Sequence, residues 1–170
     1  LPKVCHPVGG RPMVCAVVEA CLDAGCERVV VVVGYKQELV REALAEQAES
    51  GRVVFAVQDE QLGTGHAVGC AKGHYEGVSL GQHDVLVLCG DGPLIRAETV
   101  RALVERHRAK DAAATLATAV LDDPSGYGRV VRDASGRFER IVEEKNATGA
   151  ELSIREVNPS YYCFDAAALF

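Results

Sequence analysis

The chain has 170 residues, of which 48% are hydrophobic and 25% are charged, with no Trp and a formal charge of −6. This length suits one domain with a substantial core, and we take residues 1–170 as a single domain. The acidic balance argues against indiscriminate nucleic-acid binding, which needs a broad basic surface. No apolar run approaches the roughly 20 residues of a membrane-spanning helix, so no membrane partner is expected and a cytoplasmic location is the default interpretation.

Helical and strand patterns alternate along the first half of the chain. The predicted elements are a helix over 12–26, a strand over 29–33, a helix over 37–49, a strand over 53–57, a helix over 66–72, a strand over 84–88 and a helix over 97–110. This order predicts an α/β fold with a Rossmann-like, mainly parallel sheet and helices on both faces.

The second half has a different pattern, with short strand-like segments separated by turn-rich stretches. Strands are predicted over 112–120, 128–132, 138–142 and 160–164, as antiparallel additions to the parallel sheet. The seven Cys residues form no C-x-x-C pair and have no zinc-binding spacing. Buried free thiols in a reducing compartment are the simplest interpretation of these residues.

Ligands of open parallel sheets bind beyond the carboxyl ends of the strands. Asp91 lies at such an end, after the predicted strand 84–88 and Cys89-Gly90. Its carboxylate could hold Mg²⁺ against a triphosphate, or it could cap a turn before Pro93. The residue alone leaves both interpretations open.

A second candidate is the glycine-containing loop that follows the predicted strand 53–57. Gly63 would let the backbone approach a ligand, and Thr64 adds a hydroxyl near a helix start. The amide of Gln58 or Gln61 could contact a base edge. The alternative is an ordinary glycine turn with Thr64 as the helix N-cap.

A third candidate is the segment Ser-Gly-Tyr-Gly-Arg at 125–129, where backbone could reach a sugar while Arg129 supports phosphate. The alternative is a loop between strands with a solvated Arg129. Lys3 could act as a point charge against phosphate oxygens, although an exposed terminal Lys is commonly solvated. Glu143 and Asn158 lie near strand ends, where they could bind sugar hydroxyls.

Together and in this order, the segments resemble the uridyltransferase domain of the bifunctional bacterial N-acetylglucosamine-1-phosphate uridyltransferase/glucosamine-1-phosphate acetyltransferase family. The most specific stretches are Gln-Leu-Gly-Thr-Gly-His-Ala at 61–67 and Gly-Tyr-Gly-Arg at 126–129. The other matching segments are 1–4, 10–13, 58–60, 90–91, 123–125, 141–145 and 156–158.

The resemblance implies a fold of the nucleotide-diphospho-sugar transferase type and a role for each candidate residue. Lys3 and Asp91 would be the catalytic pair, with Mg²⁺ on Asp91. Gln58, Gly63 and Thr64 would hold the uracil. The full implied set is Lys3, Gln58, Gly63, Thr64, Cys89, Gly90 and Asp91 for the nucleotide, and Gly128, Glu143 and Asn158 for the sugar.

The implied reaction is Mg²⁺-dependent formation of UDP-N-acetylglucosamine and pyrophosphate from UTP and N-acetylglucosamine 1-phosphate. In bacteria this would supply cytoplasmic precursors of peptidoglycan and lipopolysaccharide. Two alternatives stay open. One is a related sugar-1-phosphate nucleotidyltransferase with another sugar or nucleotide, and the other is a non-catalytic module that binds sugar nucleotides.

The sequence also departs from the family pattern. The family's glycine-rich phosphate loop and first strand would lie before Leu1, and a second metal ligand and the acetyltransferase domain would lie after Phe170. We therefore expect a chain truncated at both ends, with unpaired strand edges in its sheet. The fragment alone is expected to be inactive, and any homo-oligomer is expected to form through the absent domain. Gly92 stands where a larger residue is usual, and Pro159 restricts Asn158 to extended conformations.

Overall fold

The computed structural model describes residues 1–77 and 79–170. The helices are α1 (Met13–Asp23), α2 (Gln37–Ala43), α3 (Ala45–Glu49), α4 (Thr64–Cys70), α5 (Ala97–Lys110), α6 (Gly149–Leu152) and α7 (Ala166–Leu169). The strands are β1 (Pro7–Val8), β2 (Arg11–Pro12), β3 (Val29–Val33), β4 (Val53–Val57), β5 (Asp84–Leu88), β6 (Ala114–Leu116), β7 (Ala119–Val120), β8 (Gly128–Arg132), β9 (Phe138–Val142), β10 (Glu156–Asn158) and β11 (Tyr161–Asp165).

The first layer is the parallel pair β3–β4, in register from Val29 opposite Val53 to Val33 opposite Val57. Both strands are apolar runs rich in β-branched residues, which favour a strand covered on both faces. Helices α1 and α2 pack against the pair. The buried cluster that joins them consists of Cys5, Val14, Cys15, Val18, Val33, Val40, Leu44 and Val53.

The second sheet has the order β5–β11–β6, and β11 runs antiparallel to both of its neighbours. Strands β5 and β6 therefore run in the same direction. Helix α5 covers β6 and β11, and it also contacts α1. Because α1 belongs to the core of the first layer, this contact joins the two sheets.

The third sheet is antiparallel, with the order β7–β10–β8–β9. Asn158 at the end of β10 lies opposite Gly128 at the start of β8. One predicted strand, 112–120, is in fact two: β6 belongs to the second sheet and β7 to the third. The Ala117 amide still donates to the Tyr161 carbonyl at 3.0 Å, in register with the β6–β11 pairing, and from Ala119 the chain pairs with β10 of the third sheet.

The α/β class and the antiparallel additions are confirmed, with some differences in detail. Parallel pairing among the described residues occurs between β3 and β4, and the edges of this pair and of the second sheet are β3, β4, β5 and β6. The helix predicted over 37–49 is interrupted at Leu44, which is wholly buried and has a non-helical backbone (φ −109°, ψ 14°).

A short hairpin, β1–β2, was not predicted. Its turn is Gly9-Gly10, and both residues have positive φ, 60° and 82°. Two consecutive residues with positive φ are typical of the tight hairpin turn whose twist matches that of the flanking strands, and glycine adopts this conformation without strain. The hairpin leads directly into α1, and the preceding turn carries Lys3.

The seven cysteines are free thiols in the described part of the chain, and Cys5, Cys15, Cys21 and Cys163 are buried. Over residues 1–77 and 79–170, no helix is both long enough and apolar enough to cross a membrane.

Candidate functional site

A cavity of about 500 Å³ opens where the end of β5, the start of β8 and the end of β10 meet. Its volume falls in the range of small-molecule binding sites. The second and third sheets both contribute to it. The lining residues are Lys3, Cys89, Asp91, Gly92, Ser125, Gly126, Tyr127, Gly128, Glu143, Asn158, Pro159, Ser160 and Tyr161.

One end of the cavity carries an ion pair between Lys3 Nζ and Asp91 Oδ2, at 2.6 Å. Asp91 follows β5, and Lys3 begins a single 3₁₀ turn, Lys3–Cys5. Gly90 explains how the two meet, because a Cβ placed there would lie 3.3 Å from Cγ1 of Val4. The 3₁₀ turn can therefore pack closely against the exit of the strand.

The Asp91 carboxylate raises the pKa of the Lys3 ammonium group, first through their hydrogen bond and then through charge attraction. Lys3 is thus a cation at neutral pH. The Lys3 side chain is 78% exposed, so the ion pair is open to ligands at this end of the cavity.

The opposite end is built from Gly128, Glu143 and Asn158. A Cβ on Gly128 would lie 3.0 Å from Cγ2 of Ile141 and 3.4 Å from Oε1 of Glu143, so the absence of a side chain brings the Glu143 carboxylate against the β8 backbone. Asn158 Nδ2 donates to the Tyr162 hydroxyl at 2.7 Å, and this bond orients its amide. A carboxylate and an amide placed in this way can bind sugar hydroxyls and an acetamido group.

The loop between these ends is held by Arg129 and Glu144. Only 2% of Arg129 is exposed, and its guanidinium donates to the Tyr127 carbonyl and, at 3.2 Å, to Oε1 of Glu144. Glu144 Oε2 accepts from the Gly126 amide at 3.0 Å. The idea of a solvated Arg129 is therefore wrong: the cation is buried because it clamps the loop, and it does not line the cavity.

Ser160 closes the wall beside Asn158. Its amide donates to Asn158 Oδ1 at 3.0 Å, and its φ is 63°, a left-handed conformation that L-residues rarely adopt. Cys89 lies in the same wall, where burial raises the pKa of its thiol and the negative charge of Asp91 raises it further.

We expect Ser160→Gly to stabilise the protein by about 0.5–1 kcal/mol, since relief of left-handed strain outweighs the entropy cost of glycine. Thermal unfolding should show a midpoint raised by about 1–4 °C. Ser50→Gly is a matched comparison. Ser50 has a negative φ, and its hydroxyl bonds to the Gln47 carbonyl and the Arg52 amide, so that change should lower the midpoint. A lower midpoint for Ser160→Gly would contradict the strain argument.

The loop predicted to read the base lies outside this cavity. None of Gln58, Gly63 and Thr64 is among its lining residues. Gln58 Nε2 donates to the Gly63 carbonyl at 3.1 Å and lies 3.1 Å from Nδ1 of His66, so the amide nitrogen is used within the loop. A separate hollow of about 280 Å³ adjoins this loop and is lined by Val57, Asp59, Glu60, His66 and Cys70.

Gly63, not Thr64, precedes α4, and no side chain caps this helix. The alternative with Thr64 as N-cap is therefore wrong. The φ of Gly63 is 103°, a value that glycine adopts easily. Gly63 occupies the N-cap position and has no side chain, so it cannot cap the helix. The predicted base contacts of these loop residues stay a prediction.

Gly34 sets the position of this loop. A Cβ there would lie 2.9 Å from Gln61 Nε2 and 3.0 Å from the Gln58 carbonyl oxygen. We expect Gly34→Ala to displace the loop and destabilise the protein by about 1–3 kcal/mol, because the backbone carbonyl must move. Thermal unfolding measures this effect. Gly73→Ala, where a Cβ meets nothing within 4 Å, is the control. Equal midpoints for the two variants would contradict the prediction.

Six of the ten predicted site residues thus share one cavity: Lys3, Cys89, Asp91, Gly128, Glu143 and Asn158. Gly90 lies between two of them in the chain. Tyr127, Ser160 and Tyr161 also line the cavity and were not predicted as site residues.

Among the residues that line the cavity, Asp91 supplies the carboxylate at the Lys3 end that could hold a metal ion. Within the described residues, no three His, Cys, Asp or Glu side chains are grouped so as to hold one. Magnesium commonly keeps several waters and binds through one or two carboxylates plus substrate phosphates. Asp91 at the edge of an open cavity fits an ion that is shared with a phosphate ligand.

The chain matches the family model described as nucleotidyl transferase over residues 1–169. It is 50% identical to bifunctional protein GlmU of Geobacter sulfurreducens over 168 residues, which is 99% of this chain and 34% of that protein. It is 51% identical to bifunctional protein GlmU of Anaeromyxobacter sp. over 168 residues, with the same coverage. The chain spans about a third of the length of these relatives.

Solved structures share the fold at low identity. A putative glucose-1-phosphate thymidylyltransferase from Bacillus anthracis, in complex with sucrose, superposes with a TM-score of 0.79 at 21% identity, over 98% of this chain and 64% of that one. An apo UDP-glucose pyrophosphorylase superposes with a TM-score of 0.72 at 16% identity, over 98% and 70%. The predicted Rossmann-like fold of nucleotidyltransferase type is thereby confirmed.

Proposed function

This chain belongs to the nucleotidyl transferase family, and we propose that the protein carrying it forms UDP-N-acetylglucosamine and pyrophosphate from UTP and N-acetylglucosamine 1-phosphate. One observation carries the proposal. The Lys3–Asp91 pair and the set Gly128, Glu143 and Asn158 face one cavity, although they come from different sheets. A charged end for phosphates beside an amide and carboxylate end for a sugar is what a sugar 1-phosphate requires.

The sugar end would hold N-acetylglucosamine 1-phosphate. Glu143 can accept hydrogen bonds from sugar hydroxyls, and the Asn158 amide, fixed by Tyr162, is positioned to contact the sugar or its phosphate. Gly128 leaves room for the Glu143 carboxylate to lie against the β8 backbone at the edge of the cavity. Because the sugar is held at this end, its phosphate would point toward Lys3 and Asp91, which lie at the other end of the same cavity.

In the reaction, an oxygen of the sugar phosphate attacks the α-phosphorus of UTP in line. A bond forms between that oxygen and the α-phosphorus, the bond from the α-phosphorus to the bridging oxygen breaks, and pyrophosphate leaves. No covalent intermediate with the protein is needed. Lys3 would exchange its contact with Asp91 for phosphate oxygens and would offset the negative charge that develops on them.

Asp91 would hold the magnesium ion that this chemistry uses. Bound magnesium supplies charge neutralisation and a template for the phosphate oxygens. The uracil would contact Gln58, Gly63 and Thr64. One nucleotide would then have to reach from the loop 58–65 to the cavity. The substrates are small molecules of the bacterial cytoplasm, and the product would serve cell-envelope synthesis.

The test is pyrophosphate release by the complete protein that carries this chain, with Mg²⁺ and a panel of triphosphates and sugar phosphates. We expect release with UTP and N-acetylglucosamine 1-phosphate, and at least about tenfold less with glucose 1-phosphate or TTP. Release with another pair alone would replace the assigned substrates. Binding of UDP-N-acetylglucosamine without any release would replace the enzyme with a sugar-nucleotide-binding module.

A further inference from the structure

Gly92 and Tyr161 meet in the wall of the cavity, and neither belongs to the set assigned above. A Cβ on Gly92 would lie 2.5 Å from the Tyr161 hydroxyl oxygen and 3.5 Å from Cζ. The hydroxyl thus fills the space that a side chain at position 92 would occupy. The glycine in Asp91-Gly92-Pro93 therefore has a packing role, because a residue with a Cβ would collide with the Tyr161 hydroxyl.

The Tyr161 hydroxyl differs from that of its neighbour in having no protein partner. Tyr161 begins β11 opposite Leu88 of β5, so its backbone is fixed by the second sheet. The Tyr162 hydroxyl accepts a bond from Asn158. Among residues 1–77 and 79–170, the Tyr161 hydroxyl makes no hydrogen bond, although it lies against the cavity. A polar group placed in this way is available to a ligand.

The surroundings keep this phenol protonated. Burial raises the pKa of Tyr161, and the negative charges that Cys89, Tyr127 and Asp91 can carry raise it further. The group therefore acts as a hydrogen-bond donor at neutral pH. Phosphate oxygens are strong acceptors of such bonds.

We propose that Tyr161 is a further substrate contact whose hydroxyl donates a hydrogen bond to the phosphate of the sugar 1-phosphate. The inference rests on the proposed function. The geometry supports it, because Tyr161 lies between the Asp91–Gly92 wall and the Asn158–Ser160 wall. The phosphate that joins sugar to nucleotide must pass between the same two walls if the sugar is at Asn158 and the metal is at Asp91.

The experiment compares Tyr161→Phe with the unaltered complete protein in steady-state pyrophosphate release. We expect the KM for N-acetylglucosamine 1-phosphate to rise about tenfold while the KM for UTP changes less than about twofold, since a hydrogen bond to a charged group is lost at one substrate only. The melting temperature should not change, because the hydroxyl has no protein partner. Tyr35→Phe, at an exposed position outside the cavity, is the matched control.

A second variant tests the same contact from the other wall. Gly92→Ala should displace the Tyr161 hydroxyl and raise the KM for N-acetylglucosamine 1-phosphate about tenfold. In a Tyr161→Phe background, Gly92→Ala should raise this KM by less than about threefold, because the oxygen that clashes with the new Cβ is gone. An equal effect of Gly92→Ala in both backgrounds would overturn the inference, as would an unchanged KM in Tyr161→Phe or equal rises for both substrates. Absence of turnover in the unaltered protein would overturn the proposed function as well.

Discussion

Asp91→Asn is expected to lower pyrophosphate release by about 10²–10³-fold, because the amide keeps the size of the side chain but loses the charge that would hold a divalent cation. The Mg²⁺ concentration for half-maximal rate should rise in parallel. The measurement is initial rate against Mg²⁺ at saturating UTP and sugar phosphate. Stability should change by less than about 1 kcal/mol, since the ion pair with Lys3 is exposed.

Asp23→Asn is the matched control for this change. Asp23 is exposed at the end of α1, and its side chain takes part in no ion pair within the described residues. Its rate and Mg²⁺ dependence should equal those of the unaltered protein. A rate for Asp91→Asn within about threefold of normal would remove this carboxylate from the chemistry. A large loss of stability would instead show that the pair with Lys3 holds the fold together.

Buried strands were the part of the fold that the sequence predicted best. The strands over 29–33, 53–57 and 84–88 have the observed bounds of β3, β4 and β5. Each is a short run of apolar residues, apart from Asp84 at the start of β5, and is too short for a typical helix, so local pattern and tertiary burial favour the same structure. The helix α5 was predicted with its observed bounds for a similar reason, since its apolar positions recur at helical spacing.

Elements that depend on distant partners were not predictable in this way. Strand β10 has a single apolar residue, Val157, and it exists because β7 and β8 pair with it on both sides. The division of 112–120 into β6 and β7 depends on two distant partners, because β6 pairs with β11 and β7 pairs with β10. Only the β1–β2 hairpin had a local signal, the Gly9-Gly10 pair.

The same division holds for the site. Asp91 was predicted from its place after a buried strand, and that rule needs only local sequence. Its contact with Lys3 depends on the packing of Val4 against Gly90, and no local sequence pattern predicts that packing. Tyr161 was missed because its signal lies at another position, the small residue Gly92. The clamp at Arg129 was missed because a charged side chain next to a glycine segment is normally taken as solvated.

Glu144→Ala is expected to destabilise the protein by about 2–3 kcal/mol. Loss of one partner of a fully buried ion pair costs roughly 3–5 kcal/mol, because a charge is left without compensation. Arg129 is the buried partner of its pair with Glu144, with 2% exposure and an Nε atom that has no partner in the described residues. Glu144 is 42% exposed, so water can reach the vacated position and reduce the cost.

The variant also removes the acceptor of the Gly126 amide, so the loop 125–128 should loosen along with the fold. Thermal unfolding should show a midpoint lowered by about 5–10 °C. Glu144→Gln keeps an acceptor for Gly126 and loses only the charge, so its loss should be smaller. Glu105→Ala, at an exposed position of α5, should cost nothing because alanine favours helices. If Glu144→Ala unfolds at the same temperature as Glu105→Ala, Arg129 is stabilised without its carboxylate, and the clamp does not hold the loop.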